Sequence, residues 1–272
     1  MKFGVRAHDF GRKSPAILAK EISDMGFEAA QLALSKALLG IDENTDIFEN
    51  GLPEAVKSAF NDANVEISVL GCYINLVHPD EKIRDFVLTR FENHIKFASM
   101  CGAKMVGTET GSLNANFSFN PENHSESAYL QTAKSVARLV ECGERLNVNV
   151  GIEGVSSYTI NTPKKLKRLI DDIKSDKLKI ILDPVNLLTY NNYEKQEDII
   201  KESVELFGDK IDVLHAKDFV ASDDKLDLVT IGTGMLNYKL IFELLRNKEY
   251  SILFEGASID TMKQSLSILK SI

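Results

Sequence analysis

The sequence predicts an α/β fold, a (β/α)8 barrel in a single domain over residues 1–272, and three observations predict it. Short apolar or alternating runs, each bounded by turn residues, are followed by longer segments with helical spacing. The pattern repeats eight times, and no linker, low-complexity tract or charge block divides the chain. Strict β-then-α alternation implies parallel strands, because each crossover needs a helix-length connection. Eight units fit a closed barrel better than an open doubly wound sheet, since closure leaves no edge strand. Against the open sheet, the turn after the first strand reads His8-Asp9-Phe10-Gly11-Arg12 and lacks the Gly-x-Gly-x-x-Gly spacing of a dinucleotide site.

In chain order, the first strand is expected at 2–8, followed by a helix that Ser14-Pro15 opens with a hydroxyl cap and a proline in its first turn. Further strands are expected at 27–34, 65–73 and 103–108. A helix over 124–146 puts Ala133, Val136, Ala137, Val140 and Gly143 on one stripe, with Lys134, Arg138 and Glu141 turned away. The fifth strand covers 147–153, and Thr162-Pro163 opens the helix after it. Strands at 178–183, 211–216 and 250–255 complete the set, and a helix over 260–272 closes the chain with Met262, Leu266 and Leu269 inward. The long polar stretches 35–51, 110–123 and 218–236 all follow strands, so in a barrel they overhang the face where active sites form.

Composition narrows the function. A net charge of -8 with no basic cluster argues against nucleic acid. Cys72, Cys101 and Cys142 cannot all pair and form no Cys-x-x-Cys, so they read as reduced thiols in a cytoplasmic protein. The charged N-terminus and the lack of a long apolar run argue against a signal peptide and a membrane partner.

The chemistry lies at four strand ends. Glu153 ends the fifth, Asp183 the sixth, His215 lies near the end of the seventh, and Glu255 ends the eighth. Any one of these alone is as well explained as a helix cap or a surface charge. Four in consecutive units are not, because in a barrel they converge where buried carboxylates need a cation or proton to neutralise them. Three carboxylates and an imidazole favour one divalent ion among Mn, Mg, Co and Zn over a thiolate-selected metal.

These residues, in GIEG, ILDPVNLL, LHAKD and LFEG, resemble the xylose isomerase-like barrels, in the sugar phosphate isomerase/epimerase branch. That superfamily also includes ketose 3-epimerases, inosose dehydratases and endonuclease IV. RAHD, VLGCYINLVHPD, VGTETGS and the Gly232-Thr233-Gly234 turn support the resemblance, which spans nearly the whole chain. It implies one metal held by Glu153, Asp183, His215 and Glu255 and a carbohydrate-like substrate. Glu153 and Glu255 would transfer a proton through an enediolate in a ketose-like or keto-polyol substrate. The alternative it implies is a dehydratase of the inosose type, in which the same enediolate expels a hydroxyl. A homodimer is also expected by resemblance. Where ketose 3-epimerases carry His, Arg and Glu, this chain has Asn186, Lys217 and Thr159, which argues against free-ketose 3-epimerisation. The trinuclear zinc site of endonuclease IV needs more imidazoles near the mouth than this chain's five His supply, with His94 and His124 reading as peripheral.

Five more residues are candidates for substrate contact. Arg6 and His8 close the first strand, and Arg6 is placed either to hold a substrate oxygen or to pair with Glu255. Glu109 ends the fourth strand, serving either substrate or the following loop. Asn186 is placed to bind hydroxyls, and Lys217 either steadies an enediolate or pairs with Asp218. His78 reads as a turn residue. Gly232 and Gly234 more often make a tight turn than a phosphate cradle.

Overall fold

The computed structural model describes residues 1–42 and 45–272. Eight parallel strands close into a barrel: β1 (Lys2–Arg6), β2 (Ala29–Leu32), β3 (Glu66–Gly71), β4 (Met105–Glu109), β5 (Asn149–Glu153), β6 (Leu178–Leu182), β7 (Ile211–Ala216) and β10 (Ser251–Phe254). Each pairs with its chain neighbours, and β1 closes the ring against β10 with Val5 beside Phe254. Helices α1 (Pro15–Asp24), α2 (Leu34–Ala37), α3 (Leu52–Asp62), α4 (Glu81–Cys101), α5 (Glu126–Leu146), α6 (Pro163–Ile173), α7 (Gln196–Phe207), α8 (Tyr238–Leu245) and α9 (Ile259–Lys270) lie in the connections. None is long and apolar enough to cross a membrane, among the described residues. Cys72, Cys101 and Cys142 are all buried.

Two apolar layers hold the barrel. Outward-facing strand residues form the layer beneath the helices, where Phe254 of β10 meets Phe3 of β1 and Phe27 edge-on, with ring centroids 6.4 and 5.3 Å apart. Burying one such ring contributes roughly 1.5–3 kcal/mol. Inside the barrel, Ala29, Val69, Met105, Ile181, Val213 and Leu253 form a separate plug. The plug is tight enough to require glycine beside it: a Cβ on Gly107 would sit 2.7 Å from both Ile181 Cδ1 and Val69 Cγ1.

Several local expectations change. The first strand stops at Arg6, and His8 lies in the 3-10 turn Ala7–Phe10. Thr162 caps α6 by accepting from Lys165 N–H, but Ser14 makes no side-chain cap on α1. On α5 the buried stripe includes Thr132, Ser135 and Leu139, while Ala137 is exposed. Arg138 does not simply face water. It bridges to Asp85, Thr89 and Glu92 of α4, and so ties two neighbouring helices. The stretch 218–236, expected only as a polar overhang, contains an antiparallel hairpin, β8 (Asp218–Ser222) with β9 (Lys225–Val229).

Candidate metal centre

Alternation along each strand carries the apolar plug two residues onward into polar side chains: Ala29 to Gln31, Ile181 to Asp183, Val213 to His215, and Leu253 to Glu255. Glu153 and Glu109 join them through register, since β4 sets Glu109 directly beside Glu153. The backbone N–H of Glu255 donates to the carbonyl of Ala216, fixing that carboxylate next to the His215 strand.

His215 Nδ1 lies 3.2 Å from Glu153 Oε2, 3.1 Å from Glu255 Oε2 and 3.9 Å from Asp183 Oδ2. Atoms bound to one ion at roughly 2.0–2.2 Å stand no more than about 4.4 Å apart, so the spacing suits a common cation. One atom each from Glu153, Asp183 and His215, all buried, falls within 4.8 Å of the others, a group that could hold a metal ion. Two atoms support that fit: His215 Nδ1 and Asp183 Oδ2 are buried without a hydrogen bond. Lys217 Nζ does approach Asp183 Oδ2 to 2.8 Å, giving that oxygen a charge partner outside hydrogen-bonding geometry. Such atoms are costly to bury unless something answers them.

The charges show the same demand. Burial alone would lower the His215 pKa, but Glu153 and Glu255 outweigh it and raise it to about 9. Burial would raise Glu255, but His215, Lys217 and Arg6 hold it down at about 2. Burial, with Glu153 and Glu255 nearby, pushes Asp183 above its ordinary value, opposed by Lys217 and His215. A proton on the imidazole thus serves the role a cation would take.

The sequence reading missed the residue that orients His215. Its Nε2 lies 2.8 Å from Gln31 Oε1, so the amide oxygen accepts the Nε2 proton and leaves Nδ1 facing the carboxylates. Gln31 in turn donates to the Tyr73 hydroxyl. Gln31 is fully buried, on the same face as Ala29, and the one cue in the sequence is a lone uncharged amide inside an apolar strand.

The remaining candidates also gather here. Arg6 Nη1 donates to Glu255 Oε1 at 3.1 Å, and its Nε and Nη2 donate to Asp9. Lys217 Nζ stands 3.3 Å from Glu255 Oε1 and donates to Asn186 Oδ1 at 3.1 Å. Asn186 Nδ2 donates to Glu153 Oε1 at 2.5 Å, so its amide links two charged groups. Asp218, offered in the sequence as a partner for Lys217, instead accepts four backbone N–H groups, from Phe219, Gly232, Gly234 and Leu236. Burial, Glu153 and Glu255 raise Glu109 to about 7. His8 Nδ1 is buried without a hydrogen bond, and burial with Arg6 nearby lowers its pKa. Thr159 accepts from Thr132 Oγ1. His78 accepts the Asp80 N–H in a turn, and His94 and His124 bond to backbone carbonyls.

Comparison with known proteins agrees with this architecture. No protein of curated function matches the sequence. The fold is similar to that of 3-keto-D-glucoside 4-epimerase YcjR from E. coli, with TM-score 0.76 and 18% identity over 100% of both chains. It is also similar to the probable 3-DHS dehydratase AsbF from Bacillus anthracis, with TM-score 0.78 and 16% identity over 99% of both. A third similar structure is the IolI protein with a bound zinc atom, with TM-score 0.75 and 15% identity over 100% of this chain and 96% of that one. A family model described as the xylose isomerase-like TIM barrel matches residues 19–272, and the chain belongs to that family.

Proposed function

We propose that this protein is a divalent-metal-dependent isomerase or epimerase acting on a small carbohydrate, by proton transfer beside a carbonyl. One observation carries the reading: Glu153, Asp183, His215 and Glu255 converge at the barrel mouth, with Asp183 Oδ2 and His215 Nδ1 buried and lacking hydrogen bonds. These four side chains would hold the ion. A bound divalent cation would polarise the substrate carbonyl and acidify the adjacent C–H. The similar structures, which include an epimerase and a zinc-bound barrel, are consistent with the reading.

The chain's own residues then do the rest. Glu153 and Glu255 are the carboxylates that exchange the proton, one removing it from carbon and the other returning it. Asn186 fixes the Glu153 carboxylate through its amide, and Arg6 fixes Glu255. Lys217 supplies a fixed positive charge where negative charge develops on the substrate oxygens. Arg6, His8 and Glu109 would meet the substrate hydroxyls.

The test is deuterium uptake from heavy water into a panel of ketoses, keto-inositols and their phosphates, with wild type, Glu153→Gln and Glu255→Gln. The expected result is carbon-bound deuterium with wild type, reduced by roughly 100-fold or more in either variant. Loss of water from the product would move the assignment to a dehydratase. Uptake that survives in both variants would sink the proton-transfer roles.

A further inference from the structure

The inward face of β3 runs from Val69 of the apolar plug through Gly71 to Tyr73, just past the strand end. Glycine at 71 gives the Tyr73 ring its seat: a Cβ there would stand 3.1 Å from Tyr73 Cε2 and 3.8 Å from Gln31 Cγ. Lys36 Nζ lies over the ring, 5.3 Å from its centroid. Tyr73 is half-buried and lines a cavity of about 650 Å³, which leaves a ligand an approach to it.

The direction of hydrogen bonding at this ring is fixed from His215. Whether the imidazole is doubly protonated or holds a cation through Nδ1, its Nε2 carries a proton, which Gln31 Oε1 accepts at 2.8 Å. That orientation turns the amide nitrogen of Gln31 to the Tyr73 hydroxyl oxygen, to which it donates. The hydroxyl has one proton of its own, and this bond does not use it. Tyr73 makes no other hydrogen bond among the described residues, so the chain from His215 through Gln31 ends in an O–H donor that no acceptor among them answers. Desolvation, then Glu153, Glu255 and Glu109, push the Tyr73 pKa well above its ordinary value, against Arg6, so the hydroxyl keeps its proton.

We propose that Tyr73 is a catalytic residue, its hydroxyl donating a hydrogen bond to the substrate oxygen that gains negative charge during proton transfer. This inference rests on the proton-transfer reading above, and the experiment separates the two. As Glu153 or Glu255 takes the proton from carbon, the C–H electron pair moves toward the carbonyl and its oxygen becomes negative. Tyr73 answers that charge without giving up its own proton.

Acetohydroxamate, whose two neighbouring oxygens share one negative charge, stands in for that charged state. Cobalt-loaded wild type and Tyr73→Phe are titrated with it, read by the visible absorption of cobalt, and cobalt affinity is measured separately by calorimetry. Deuterium uptake from heavy water is followed for each ketose or keto-inositol that wild type labels.

The expected result in Tyr73→Phe is cobalt affinity within about threefold of wild type, because the bond from His215 to Gln31 remains. Acetohydroxamate should bind roughly 10–100-fold more weakly, and deuterium uptake should slow by roughly 100-fold. Unchanged acetohydroxamate affinity would overturn the proposal, whatever the uptake rate. So would a loss of cobalt affinity whose correction by excess cobalt restores both other readings, since Tyr73 would then act only by positioning Gln31. Weaker acetohydroxamate binding in the variant, with no uptake into any compound by wild type, would support the hydroxyl donor while counting against the proton-transfer reading.

Discussion

Around the barrel mouth, the half built from β5, β6, β7 and β10 carries its charges as a closed set, whereas the half built from β2, β3 and β4 leaves chemistry open. In the first half, Glu153, Asp183, His215, Lys217 and Glu255 are all held within one network of contacts at 4 Å or less. In the second, Glu109 has no hydrogen-bonded partner among the described residues. A cavity of about 650 Å³ opens beside Tyr73, lined also by Leu34, Ile47, Phe48 and Phe86. One half thus gathers groups that could hold a cation, and the other opens a cavity beside Tyr73. The two halves meet at Gln31, which belongs to β2 but orients the imidazole of β7.

The largest expected effect breaks the closed half. In Lys217→Met, Asp183 and Glu255 lose a buried positive partner, which should destabilise the metal-free protein by roughly 3–5 kcal/mol. A divalent cation restores much of that charge balance, so urea unfolding with and without chelator should show a loss that shrinks when metal is present. An equal loss in both conditions would contradict the network as described.

Next comes the junction. Gln31→Leu frees the His215 ring and should weaken metal binding by roughly 10–100-fold, as outer partners of metal-bound histidines do. Calorimetric titration checks this, and unchanged affinity would remove Gln31 from the site.

The smallest effect lies at the far end of the barrel and serves as a control for both halves. Burial alone would raise the Glu66 pKa, but hydrogen bonds from Lys104 and Lys2 hold it below its ordinary value of 4.5. A depressed carboxylate stabilises the fold above that value and loses its contribution as pH falls through the lower, folded one. Glu66→Gln should therefore cost more stability at pH 7 than at pH 3 in denaturant titrations, with metal affinity unchanged. A loss as large at pH 3 would rule out the charge as its source.

The sequence made the barrel and its four converging side chains legible for a physical reason. Period-two alternation in short strands fixes which residues point inward, and strand order fixes which of those meet. Asp183 and His215 could be placed on that basis alone. Gln31 was hidden because an amide in an apolar strand carries no charge signature, and its partner lies 184 residues away. The role of Asp218 was hidden because its partners are backbone N–H groups of a turn 14 to 18 residues onward, apart from its neighbour Phe219. The hairpin after β7 was missed since its two five-residue strands follow one another with no helix between them, outside the β-then-α alternation that marks the barrel.

The central claim is a single divalent-cation site made by Glu153, Asp183, His215 and Glu255, and metal titration of chelator-stripped protein tests it most directly. Calorimetry with Mn, Mg, Co and Zn should find one equivalent bound by wild type, with binding lost or severely weakened in Asp183→Asn and His215→Asn variants that remain folded. Wild-type protein that binds none of the four ions, or folded variants that bind as tightly as wild type, would contradict it.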